Sequence, residues 1–256
     1  MANKQDESAL VAYWRPETSF NTFNLGDLHI YGFDSDGMKI WIQRDDEVIT
    51  ATYLLYVQTL VVYSATRDWD ADFLLRLTKQ HRIENIMGKR EFINWLRPLG
   101  FQDWRPDYKH FAQMEKLIEP AGDIDYQIAT LDDAKAISEI LATCFDKIDY
   151  PEEMIVQKLK NHEGRHFFIK ENGRIIAHAN SAAETPYSAL IGGVCTLPGY
   201  RKKGYASRLV SALCQELLSE GKLICLTVDD PQALSIYQRL GFEIIGEWGF
   251  LLDPKP

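Results

Sequence analysis

From Ala189 to Val228 the sequence carries one pattern that few folds accommodate. An apolar run, Ala189–Thr196, leads through a turn holding Gly204 into a helical stripe of Ala206, Leu209, Val210, Leu213, Cys214, Leu217 and Leu218. Gly221 is placed to end that helix, and Leu223–Val228 is a continuous apolar run of buried-strand length. Strand, long helix and strand in this order imply parallel pairing through a crossover helix. The expected fold is α/β with a mixed sheet.

The chain has 256 residues, enough for two domains. Ile118–Ile124 combines Pro, Gly and charge between two patterned regions, which predicts a linker at 118–124 between domains at 1–117 and 125–256. Beyond it, Tyr126–Ala129 reads as a short strand, and Thr130 as the cap of a helix with Ile137, Ile140, Leu141, Cys144 and Phe145 on its apolar face. Pro151 opens a second helix. Arg165–Glu171 and Arg174–Ala182 form a hairpin around Asn172-Gly173, and a short helix to Leu240 precedes a last strand at Glu243–Leu252.

In the first half, Leu28–Phe33, Met38–Arg44, Val48–Tyr56 and part of Val57–Tyr63 read as strands. Helices are expected at Asp70–Lys79 and Arg90–Leu96, with a strand at Glu84–Met87 between them. The two halves end alike: Ile83 to Leu99-Gly-Phe101 and Leu223 to Leu240-Gly-Phe242 each run strand, short amphipathic helix, Leu-Gly-Phe. This predicts an internal duplication.

A net charge of −9 repels phosphate backbones and anionic lipid, so neither nucleic acid nor a membrane is expected as partner. Cys144, Cys195, Cys214 and Cys225 form no C-x-x-C pair and read as buried free thiols. The first residues carry acids where a signal peptide is basic and apolar, and no apolar run reaches membrane-span length. A cytoplasmic location is expected. The six histidines form no metal-spaced cluster.

The chemistry concentrates at Arg201-Lys202-Lys203-Gly204-Tyr205-Ala206, a basic turn feeding directly into the long helix. The first N–H groups of a helix lack internal partners, and the helix dipole adds positive charge there. Gly204 and Ala206 let a ligand approach the backbone, making a pyrophosphate site.

This segment, with Val194-Cys-Thr196 before it and Ala233-Leu-Ser-Ile-Tyr237-Gln-Arg-Leu-Gly-Phe242 after it, resembles the GNAT acetyltransferases over about residues 125–252. The resemblance implies a GNAT acyl-CoA fold in the C-terminal half and acetyl-CoA as co-substrate. Val194 and Thr196, flanking Cys195, would offer backbone groups to the pantetheine arm. Gly192 and Gly193 would permit a bulge that splays this strand. Backbone N–H groups from Lys202 to Ala206, beside Arg201, would hold the pyrophosphate, and Tyr237 would protonate the departing thiolate. Asp230, where the family often has Asn, is expected to cap its helix and is counted among the cofactor contacts.

The function so implied is N-acetyl transfer to a small-molecule or peptide amine by direct attack in a ternary complex. The other reading is a non-catalytic acyl-CoA-binding sensor or interaction module. Glu184 and His178 are the candidates for general base. In the diverged N-terminal copy, acids at Arg67–Asp72 replace the phosphate loop and Leu96 replaces Tyr237. That half is expected to bind no acetyl-CoA, and to shape the acceptor cleft or the interface of a homodimer.

Overall fold

The computed structural model describes residues 1–145 and 150–254. By internal contacts it forms two compact units that are discontinuous in sequence. The first comprises Met1–Phe111, Thr227–Asp229 and Ile244–Pro256; the second comprises Ala112–Leu226 and Asp230–Glu243. This division differs from the boundaries expected at 118–124. The expected linker lies inside the second unit, and the last strand lies in the first.

The first unit opens with α1 (Glu7–Trp14) and α2 (Thr22–Tyr31). Here one expectation is corrected: Leu28–Phe33 is not a strand. Thr22, Leu25 and Leu28 are buried at helical spacing, and Gly32 at φ +63 ends α2 with its N–H on the Leu28 carbonyl. The apolar alternation there came from the end of a helix. Trp14 is fully buried, its indole N–H donating to Thr52 Oγ1 at 3.0 Å.

Strands β1 (Met38–Asp45), β2 (Val48–Tyr56) and β3 (Thr59–Tyr63) run antiparallel; after α3 (Ala71–Gln80), β4 (Asn85–Lys89) returns parallel to β3. Then come α4 (Arg90–Leu96), Gly100 at φ +113, and β5 (Arg105–Met114). Tyr53, Leu74, Phe92 and Leu96 lie in the core, with Trp41, Trp69 and Trp95 packed against it.

The second unit repeats this order. A two-residue strand β6 (Gln127–Ile128) borders β7 (His166–Glu171), which pairs antiparallel with β8 (Arg174–Ala182), and β8 with β9 (Ser188–Thr196). Helices α5 (Ala134–Cys144) and α6 (Glu152–Lys160) precede the hairpin; Pro151 stands just before α6 as its N-cap. After α7 (Tyr205–Ser219), β10 (Leu223–Val228) pairs parallel with β9. Finally α8 (Pro231–Leu240) ends at Gly241, φ +116.

β8 is buried at five successive positions, Ile175 to Ala179, as a central strand covered on both faces requires; α5 and α7 pack on it. Strand, helix, parallel strand, helix, left-handed glycine therefore occurs twice, and both units are mixed α/β. The last strand, β11 (Glu243–Leu252), pairs antiparallel with β4, Trp248 opposite Lys89 and Leu252 opposite Asn85.

Candidate functional site

Parallel pairing between β9 and β10 covers only Ser188–Leu190 against Leu223–Cys225. Beyond it β9 bulges. The β8–β9 register shifts between His178 and Asn180, and Gly193 sits at φ +56, where a Cβ would lie 2.1 Å from Asn180 Oδ1. A side chain there would strain the backbone and displace Asn180, which favours glycine. The Leu197 N–H bonds back to the Ile176 carbonyl on β8, so by strand alternation the backbone groups of Val194 and Thr196 point away from β8. The Thr196 carbonyl accepts from Arg201 Nε at 3.0 Å.

The space so opened is a cleft of about 420 Å³ within the second unit. Its walls include Val194, Cys195, Thr196, Arg201, Lys202, Gly204, Tyr205, Ala206, Asp230 and Tyr237. Of the cofactor contacts expected from the sequence, only Lys203 is not on the wall. Its ammonium lies 5.3 Å from the ring centroid of Tyr200, so a long flexible side chain stacks outward on an aromatic face. Phe145, Tyr200, Ala233 and Ile236 also line the cleft, and so does Cys144.

Two helices begin at this cleft, and they begin differently. α7 starts at Gly204, φ +79, with no side-chain cap, which leaves its first N–H groups for a ligand. α8 starts at Asp230, whose Oδ1 accepts from the N–H groups of Gln232 (2.6 Å) and Ala233 (3.1 Å). Asp230 is thus a cap, as its position before Pro231 implied.

Tyr237 is 8% exposed, edge-on to Phe242 with ring centroids 5.7 Å apart. Burial, then the neighbouring Cys214 and Asp230, push its phenol well above the ordinary value. It is therefore protonated at neutral pH.

Neither candidate base reaches the cleft wall. Glu184 is held by Arg165 (Nη2 to Oε2, 2.8 Å), Lys222 (2.7 Å) and the Ser181 hydroxyl. Burial opposes its charge, but these three donors outweigh it and hold the carboxyl below its ordinary value. His178 is fully buried, and that burial lowers its imidazole to about 4.

In the first unit the corresponding positions are occupied differently. Asp70 Oδ1 accepts the Phe73 N–H at 2.8 Å, capping α3 where α7 is open, and Leu96 is wholly buried. Among the described residues no group of His, Cys, Asp or Glu is arranged to hold a metal, and no helix is long and apolar enough to cross a membrane.

Comparison with known proteins agrees with this geometry. Residues 134–242 match the profile of the acetyltransferase (GNAT) family. No curated protein sequence matches the chain. Among solved structures, a Drosophila protein aligns over 100% of this chain and 98% of its own at 12% identity, TM-score 0.74. A tandem GNAT protein from the clavulanic acid biosynthesis pathway aligns over 99% and 96% at 13% identity, TM-score 0.61. A GCN5-related N-acetyltransferase from Kribbella flavida aligns over 80% and 87% at 18% identity, TM-score 0.62. At such identities the likeness concerns the fold.

Proposed function

Because the chain carries a GNAT-family domain at residues 134–242, we propose that the protein transfers an acetyl group from acetyl-CoA to an amine, by direct attack within a ternary complex. The observation that carries this reading is the open start of α7 at Gly204, set on the same cleft as the splayed edge of β9. The N–H groups after Gly204 take the pyrophosphate, with Arg201 and Lys202 beside them. The outward backbone groups of Val194 and Thr196 align the pantetheine arm as an added strand would. No covalent step to the protein is needed: the amine nitrogen attacks the thioester carbon and the C–S bond breaks.

Tyr237 supports that departure. Its raised pKa makes it a hydrogen-bond donor to the developing thiolate rather than an acid that surrenders its proton outright. The proton lost by the amine is what finally leaves the thiol neutral.

One observation favours a second reading, an acyl-CoA-binding module without turnover. Asp230 is the only carboxylate on the cleft wall among the described residues, and it is committed to capping α8. An amine acceptor must then arrive neutral or lose its proton to water.

Calorimetry with acetyl-CoA, beside Gly204→Glu, followed by an amine panel read by thiol release, separates these readings. Micromolar binding that the variant loses, with turnover on an amine, is the expected result. Binding with no turnover on any amine selects the module. No binding by folded wild type overturns both.

A further inference from the structure

Two of the four cysteines are sealed in the core: Cys214 and Cys225 are fully buried. The other two meet on the cleft. Cys144 is the last residue of α5 and half-buried; Cys195 lies on β9 between the two residues whose backbones face the cleft. Both thiols and Arg201, which is anchored on the Thr196 carbonyl, line this one cleft, and each thiol is the largest influence on the other's ionisation. A donor and a guanidinium on one sulfur favour its anion: first the Cys195 hydrogen bond, then the Arg201 charge, bring Cys144 down to about 7 against a burial penalty. Cys195 is correspondingly raised by the thiolate beside it and by burial.

We propose that Cys144 is a site of reversible thiol oxidation by peroxides, and that Cys195 resolves it into a disulfide that closes the cleft to acyl-CoA. The proposal rests on the acyl-CoA reading of the same cleft. In the first step the Cys144 thiolate attacks one peroxide oxygen. The O–O bond breaks, the sulfur is oxidised by two electrons to sulfenic acid, and the departing hydroxide or alkoxide takes a proton from water. That removes the thiolate that held the Cys195 proton in place. The Cys195 sulfur then attacks the Cys144 sulfur, the S–S bond forms, the S–O bond breaks, and hydroxide leaves as water with the Cys195 proton. The new bond ties the end of α5 to the strand edge along which the pantetheine arm would lie, and removes the gap between them.

The test treats the full-length protein with hydrogen peroxide, maps disulfides by mass spectrometry, and measures acetyl-CoA binding in reduced, oxidised and re-reduced samples. The expected result is a Cys144–Cys195 cross-link, acetyl-CoA affinity lowered at least about tenfold, and full recovery with dithiothreitol. In Cys144→Ser no cross-link forms, and the ratio of oxidised to reduced affinity is close to one. Iodoacetamide should label Cys144 first in the native reduced protein, and acetyl-CoA at about 100 times its Kd should slow that labelling about 100-fold. A reduced protein that binds acetyl-CoA but forms no such cross-link overturns the thiol chemistry. A cross-link that leaves affinity unchanged overturns the closure. A reduced protein that binds no acetyl-CoA overturns the function reading and the closure with it, while the mapped cross-link still answers for the thiols.

Discussion

The Nδ1–H of His178 donates to the carbonyl oxygen of Gly193 at 2.8 Å. A carbonyl only accepts, so His178 carries its hydrogen on Nδ1 and leaves a lone pair on Nε2. His166 Nδ1, 2.9 Å away, must then be the donor to it. Two buried neutral imidazoles thereby hold the bulge of β9. Burial lowers His178 to about 4, and burial with the neighbouring His178 lowers His166 to about 3.

These shifts predict a pH dependence. Between about pH 6.5 and 4 the unfolded chain binds protons that the folded chain does not, so stability is full above 6.5 and falls as pH drops toward 4. The loss is of order a few kcal/mol. The lowered carboxylates, Glu184 among them, lose their contribution only below their ordinary range, near 4.5. Urea unfolding of wild type from pH 7 to 5 should therefore show a slope that His166→Gln with His178→Gln flattens; equal slopes would remove the account.

Tyr237→Phe keeps the ring against Phe242 and removes the hydroxyl. Turnover should fall about 10²-fold with KM little changed. The alkaline limb of the wild-type pH–rate profile should show no ionisation of Tyr237 below pH 10. Steady-state thiol release checks both, and an unchanged kcat would dismiss the hydroxyl.

Glu184→Gln leaves Arg165 and Lys222 short of their shared carboxylate. It should destabilise by about 3 kcal/mol in denaturant titration. The pH–rate profile should keep its shape, which a general base at this position would not allow.

Asp230 and Gly204 stand at equivalent places on two helices, and substitution should cost stability at each for a different reason. Asp230→Ala removes a cap and should lower stability by about 1 kcal/mol, read as a shift in Tm; Asp230→Asn should restore most of it. At Gly204 a Cβ meets nothing closer than 3.8 Å, so Gly204→Ala should suffer only from its positive φ, about 1 kcal/mol.

Asp70 caps α3 where α7 is open, so the first unit offers no phosphate site of the same kind. Calorimetry should give one equivalent of acetyl-CoA per chain. Two equivalents would contradict this.

Much of the second unit was legible because its elements obey local rules. Asn172-Gly173 marks a tight hairpin, Thr130 caps through a box with Asp133, and Gly204 and Gly221 bracket a helix whose stripe is unmistakable. The repeated Leu-Gly-Phe was a sound guide because each glycine adopts φ near +115, at +113 and +116. What stayed hidden depends on tertiary partners. The strand-like alternation of Leu28–Phe33 was decided by Leu25 and Leu28 facing the core of a helix, and α1 carries too even an apolar content to announce a face. Cys144 read as one more apolar position on α5. Nothing local says that it lines the same cleft as Cys195, fifty-one residues further on (195 − 144 = 51). Glu184 and His178 looked available because their partners Arg165, Lys222, His166 and Gly193 come from other turns and strands.

The pairing of β11 with β4 bears on how the protein is made. The strand that completes the first unit is synthesised only after the whole of Ala112–Leu226, which belongs to the second. The N-terminal half therefore cannot finish folding while it is being synthesised. Until β11 has emerged it waits with the β4 edge uncovered, and a nascent chain in that state is the form in which this protein is most exposed to mispairing and to chaperones.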